Sequence, residues 1–271
     1  MPRLRPTSTE IRPISERDEE VLISLTLHGF LAFSQVRRLH LPGVSTTPAR
    51  RTLRRLADRH LAANFFEATP VGRETVWYAT TAGLEVAGLT LPALRDRRPS
   101  HVGRSKLAHT ISVNEFGIRL VECARERGDE FGYGDWRNEV ASKLPGGGLV
   151  IADAFMTYRL ASGGRALRFL EMDLGTMPSM AVEEKYGRYV ALWRSAAWKR
   201  QYTAFPKVAT VVGGRRQNER LARLLAVAEL ARGRDGEPDL LFATADDVWR
   251  NGPLASIWRW TGDERPSSFL R

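Results

Sequence analysis

A single cysteine, Cys123, in 271 residues rules out an internal disulfide and a cysteine-rich zinc site. The five histidines, His28, His40, His60, His101 and His109, are scattered, and none pairs with another at metal-ligand spacing. No apolar run approaches the length needed to cross a bilayer, and the first residues (MPRLRPTSTEIRP) lack the apolar core of a signal peptide. The expectation is a cytoplasmic protein with no membrane partner. Gly146-Gly147-Gly148 and Gly213-Gly214 are too short for a phosphate loop, and no Gly-Lys-Ser/Thr follows either. Nucleotide hydrolysis is therefore unsupported, and both runs read as turns. There is no internal repeat and no long low-complexity tract.

What the chain does have is positive charge. Net charge is +10 with a pI near 10.3, pointing to an anionic partner, most simply nucleic acid. Residues 1–104 carry 16 basic and 10 acidic side chains, so the excess is denser in the first part. Hydrophobic content of 43% supports packed cores, and the length accommodates two domains.

Residues 1–14 read as a basic arm. Ser15 or Glu16 opens a helix with Val21, Leu22 and Leu25 on one stripe. Ser34 is suited to cap a second helix, Gln35–Leu41, ended by Pro42-Gly43. Thr46 or Thr47, with Pro48 in the first turn, signals a third helix. Its inward stripe is Ala49, Leu53, Leu56 and His60, and Arg50, Arg51, Arg54, Arg55 and Arg59 lie on the remaining surface. Two strands around a turn at Thr69–Glu74 follow, which makes the pattern a winged helix-turn-helix over residues 15–90. Placed in a major groove, the third helix would put its arginines on double-stranded DNA, with Arg73 on the wing near phosphate. The other reading is a winged helix used for protein contacts, with the arginines as a solvated face.

Residues 91–105 are basic and Pro-containing and read as a linker to a second domain, residues 106–271. Ser105–Arg127 is a long helix with Leu107, Ile111, Ile118 and Val121 inward. Glu115 lies on the same side, either paired with a cation or part of a site. Trp136–Leu144 reads as a strand. Leu149–Leu160 reads as a strand covered on both faces, interrupted by Asp153, whose burial demands a partner or a metal. The next strand, Arg165–Leu174, ends in Glu171-Met172-Asp173, and the period of two places both acids on one face. Pairing of these strands would bring three carboxylates together, a set suited to Mg²⁺. Ordinary salt bridges would explain the same acids. The helix Met180–Lys199, the strand Lys207–Val212, the helix Gln217–Ala231 and the strand Leu240–Ala243 follow. The tail is expected to be irregular, with its tryptophans as packing anchors.

The order helix, three strands, helix, strand, helix, strand resembles the PD-(D/E)xK nuclease superfamily. Glu115 stands for the helix glutamate, Ala152-Asp153 for Pro-Asp, and Glu171-Met172-Asp173 for (D/E)xK. With the winged helix, His109-Thr-Ile-Ser-Val-Asn, Phe-Leu-Glu-Met-Asp-Leu-Gly-Thr and Glu-Lys-Tyr-Gly-Arg-Tyr, residues 15–260 are similar to the plasmid replication-relaxation family. The expected fold is therefore α/β (α+β overall): a winged helix followed by a nuclease-like α/β domain with a mixed central sheet. The resemblance implies a role in plasmid replication and relaxation. In that case Asp153 and Glu171 bind Mg²⁺ or Mn²⁺, Asp173 and Glu115 complete or flank the shell, and Lys185 orients water and neutralises charge. The motif lysine is absent, since Asp173 occupies its place, and Lys185 on the next helix is its substitute. The rival is a non-catalytic regulator or initiator whose second domain serves homodimerisation or partner contacts. A tyrosine relaxase mechanism would need a paired-histidine triad that the chain lacks, so Tyr189 reads as core.

Overall fold

The computed structural model describes residues 14–88, 103–144, 147–175, 178–232 and 238–271. Most of the arm (1–14) and most of the expected linker (91–105) lie outside these residues. The fold is mixed α+β, with a three-stranded antiparallel sheet and a six-stranded mixed sheet among the described residues.

Helix α1 (Glu16–His28) starts where Ser15 accepts the Asp18 N–H, and Glu16, Asp18 and Glu19 favour its positive end. Strand β1 (Leu31–Ala32), α2 (Phe33–His40) and α3 (Thr46–Asp58) follow. Ser34 is not the cap of α2. That helix begins two residues earlier than expected, at Phe33, and both the Ser34 N–H and hydroxyl are donated to Glu74. Helix α3 buries Ala49, Thr52, Leu53 and Leu56. His60, expected inward, lies past its end at φ 58° and is exposed, because the chain must reverse there into β2. Strands β2 (Ala62–Thr69) and β3 (Gly72–Ala79) form a hairpin, and β1 pairs with β3 on its other side. The two-residue turn puts Gly72 at φ 127°, a conformation open to glycine. Helix α4 (Thr81–Val86), capped by the Thr80 hydroxyl, follows.

Helix α5 (Arg104–Arg127) begins within the expected linker and ends at Gly128 in the left-handed conformation. The larger sheet runs β4 (Trp136–Lys143), β5 (Leu149–Arg159), β6 (Arg165–Asp173), β7 (Lys207–Val212), β8 (Leu240–Thr244) and β9 (Arg259–Trp260) in spatial order. The β6–β7 and β7–β8 pairs are parallel and the others antiparallel. Helix α6 (Ser179–Arg194) crosses from β6 to β7, and α7 (Gln217–Arg232) from β7 to β8. The tail is less irregular than expected: α8 (Ala245–Asn251), capped by Thr244, and β9 were not foreseen. Trp258 and Trp260 are buried there.

Strand β5 is not covered on both faces, since Leu149 and Ile151 are about half exposed. Its facing also changes along its length. Val150 and Ala152 pack with α6, whereas Ala154, Met156 and Tyr158 pack in the other apolar layer with α5. The change falls at Asp153. Opposite it, Glu139 takes φ 54°, and the β4–β5 register omits that pair.

The smaller sheet and the larger one share a core. One apolar cluster runs from Val21 and Leu53 through Phe116 and Trp136 to Trp258. His28 stacks on Trp136 at 3.9 Å. Gly117 permits this approach, because a Cβ there would stand 2.7 Å from the Trp136 ring. Asn114 of α5 donates to the His28 and Phe30 carbonyls. Helix α5 is thus the common wall of both halves.

Candidate active site

Strands β5 and β6 pair up to Ala154↔Leu170 and then part. Asp153 fills the gap: its Oδ2 accepts the Met172 N–H at 2.8 Å, so a carboxylate replaces the missing ladder partner. The same oxygen lies 3.0 Å from His109 Nε2 of α5. Its other oxygen, Oδ1, accepts from Lys185 Nζ of α6 at 3.5 Å. The turn of β5 at Asp153 explains how one carboxylate meets helices from both layers.

Glu171, two residues before the end of β6, is buried. Its Oε2 accepts from Lys185 and its Oε1 from the Tyr189 hydroxyl, one helical turn beyond Lys185. The Lys185 ammonium therefore bridges Asp153 and Glu171. Three residues expected at the site, from β5, β6 and α6, meet at one point. His109 is a third exposed and Lys185 about a quarter, so the cluster reaches solvent on that side.

The electrostatics are uneven. Burial, then the Asp153 charge, push the Glu171 carboxyl well above its ordinary 4.5, against the pull of Lys185 and Tyr189. Burial also opposes ionisation of Asp153, but the His109 hydrogen bond and the Lys185 charge outweigh it and hold that carboxyl below its usual range. His109 is raised despite burial, through Asp153. Lys185 is the cation that both acids share, and His109 stands beside Asp153 as a second base.

Asp173 and Glu115 stand apart from this centre. Asp173 closes β6, where the chain turns; its oxygens accept the Gly175 N–H at 3.0 Å and a two-pronged contact from Arg220 of α7. Glu115 takes Arg38 Nη1 on both oxygens at 2.8 Å, Arg119 Nε at 2.9 Å and Gln35 Nε2 at 3.3 Å. It joins α5 to α2 as a paired core glutamate. The expected three-carboxylate convergence is thus reduced to two, and among the described residues no three His, Cys, Asp or Glu side chains group to hold a metal. Asp153 and Glu171 still have the donor chemistry for a hard divalent ion, which commonly takes one or two carboxylates and fills its shell with water and phosphate oxygens. A divalent ion would offset the burial and the Asp153 repulsion that push the Glu171 carboxyl up.

His109 was legible as part of a family-like segment, but nothing in its spacing assigned it to Asp153. Six residues before Glu115 it lies on a different side of the helix. Tyr186 and Tyr189 are buried and engaged, Tyr186 with Thr210 at 3.1 Å. Neither is placed as an attacking nucleophile.

The arginines of the N-terminal half divide as well. Arg50, Arg51, Arg54 and Arg73 are exposed. Arg59 is half-buried at the end of α3. Arg55, also on the surface, is tied to the buried Asp18 of α1 by a bidentate pair at 2.6 and 3.0 Å, a structural contact that sequence spacing did not reveal.

A family model described as replication-relaxation matches residues 22–208, more than half of the chain. Neither a curated protein nor a solved structure matches it. Among the described residues no helix is long and apolar enough to cross a membrane.

Proposed function

We propose, from the premise that the chain belongs to the replication-relaxation family, that it binds duplex DNA through its N-terminal half and nicks it at the Asp153–Glu171–Lys185 centre. The family points to a role in plasmid or mobile-element replication and relaxation. Residues 15–90 are read as a winged helix and 106–271 as a PD-(D/E)xK nuclease-like domain, on the order of their elements. The observation that carries the proposal is the meeting of two carboxylates and a lysine from β5, β6 and α6 where β5 and β6 diverge.

Asp153 and Glu171 would hold Mg²⁺ or Mn²⁺. The ion would supply charge stabilisation at the phosphate and a more acidic water. His109 and the Met172 N–H fix the Asp153 carboxylate, and Tyr189 fixes Glu171. Lys185 lies at the open side of the cluster, where its ammonium offsets charge on a scissile phosphate. Hydrolysis joins a water oxygen to phosphorus and breaks one phosphorus–sugar oxygen bond.

The second reading rests on the same lysine. Because Lys185 already bridges both acids, the centre also suits a scaffold that grips DNA without cutting, its ammonium acting as a permanent counter-ion. Supercoiled plasmid incubated with the protein and Mg²⁺ or Mn²⁺ separates the two. Open circles made by wild type and not by Asp153→Asn or Glu171→Gln support nicking. Equal conversion by all three, or none by any, leaves only the grip.

A further inference from the structure

The small sheet has two faces, set by the alternation of β2 and β3. Phe65 and Val76 turn inward toward Phe30 and Ile111. Asn64, Phe66, Arg73, Thr75 and Trp77 turn the other way and, with Phe33, Arg50 and Arg54, line a cleft of about 550 Å³. That size lies within the range of pockets that enclose small organic ligands, roughly 300–1,000 Å³. Each wall carries a guanidinium lying over a phenyl ring: Arg50 over Phe33 on the helical side and Arg73 over Phe66 on the hairpin, both at 5.6 Å. Phe66 is 62% exposed, an unusual position for so large an apolar ring on a hairpin. Trp77 adds a third aromatic ring to the lining.

A helix that only tracked phosphates would need the arginines and not the rings. Cation–ring stacks on two walls, with the Asn64 amide in the same lining, match the requirements of a nucleobase: faces to stack on and an amide for its edge. We propose that the cleft between α3 and the β2–β3 hairpin receives an unpaired DNA base, so that the N-terminal half distinguishes a duplex with an unpaired position from a fully paired one. This rests on the reading that this half binds DNA.

The full chain is titrated, without divalent ion, against two duplexes of one sequence, fully paired or with a one-nucleotide bulge of 2-aminopurine. The expected result is about tenfold tighter binding of the bulged duplex, with the 2-aminopurine fluorescence altered by stacking on binding. Phe66→Ala, at an exposed ring, should leave the circular dichroism unchanged and abolish that preference while moving the paired-duplex affinity less than twofold. Asn64→Ala should reduce the preference by a smaller factor. Equal affinity for the two duplexes, an unchanged fluorescence, or a Phe66→Ala variant that weakens both alike overturns the cleft assignment while leaving DNA binding intact. Failure to bind either duplex overturns the DNA reading itself, and the cleft assignment with it.

Discussion

Helix α5 touches two clusters of acid and base, and they are balanced differently. At Glu115, two glutamates of α5 (Glu115 and Glu122) meet Arg38 of α2 and Arg119, in close geometry. Every carboxylate there has a guanidinium, and Arg125 donates in addition to the Arg38 and Leu39 carbonyls. At Asp153, which His109 of α5 reaches, two carboxyls share Lys185, and burial with the Asp153 charge pushes that of Glu171 well up. A compensated cluster is a strut, because any added ion would meet no net field. One in which burial keeps a carboxyl from ionising gains from a further cation, or from a group that brings one, because that cation favours the charged form. The same residue types therefore do different work according to the local charge count, and the glutamate that the family pattern assigns to chemistry belongs to the strut.

The largest test of that contrast is chemical. If the Asp153 centre cuts DNA, Asp153→Asn should lower the Mg²⁺-dependent nicking rate about a thousandfold, while Glu122→Gln, in the strut, should change it little. A comparable loss from both variants in correctly folded protein would erase the distinction. Stability is the next measure. Glu115→Ala leaves Arg119 without its carboxylate and Arg38 with Glu122 alone, and should cost about 3 kcal/mol in urea unfolding. Glu171→Gln, which removes a carboxylate disfavoured by burial and by Asp153, should move stability by less than about 1 kcal/mol. The reverse order would mean that the strut and the site have been misassigned.

The strut side also carries a pH signature. Burial, aided by Arg125, depresses the His40 imidazole from 6.5 to about 4, beside Ser24 at 2.8 Å and with Glu20 at 3.9 Å. A depressed folded value means that the unfolded chain binds the proton first. Stability from this group is complete above 6.5 and is lost as pH falls from 6.5 toward 4, by about 3 kcal/mol in all. His40→Gln should flatten that part of the stability profile; an unchanged slope would place the titration elsewhere. The smallest expected effect concerns the exposed arginines. Replacing Arg51 and Arg54 by Ala should lower the slope of log affinity against log salt by about 0.9 for each phosphate that is no longer neutralised. Arg55→Ala should instead reduce stability, since it leaves Asp18 buried without its partner. A salt slope that responds to Arg55 and not to the other two would reverse their roles.

Local signals carried much of this architecture. The Ser15 cap, the Pro48 turn, the Ala49/Leu53/Leu56 stripe and the Leu107/Ile111/Ile118/Val121 stripe fix helices through periodicity and capping, which act within a few residues. The two acids ending β6 share a face because a strand repeats every two residues. Only part of the candidate site followed from such rules. Asp153 was marked by the cost of burying a charge, Glu171 by the strand period that sets it on one face with Asp173, and Lys185 entered as the substitute that the family resemblance implied for a missing motif lysine. What periodicity could not give is which cation each acid would find. Arg38 and Arg119 claim Glu115, Arg220 claims Asp173 and Arg55 is claimed by Asp18, through partners up to 77 positions away.

By itself, then, the chain determined most of its elements, its basic balance and the acids that needed explaining, because propensity, hydrophobic period and desolvation are local properties. Tertiary structure alone decided that His109 and Lys185 meet at Asp153, that β5 changes its facing there, and that α5 binds both halves into one core. Those outcomes depend on which distant side chain arrives within a few ångströms, and Coulomb and hydrogen-bond energies are set by that distance rather than by position along the chain.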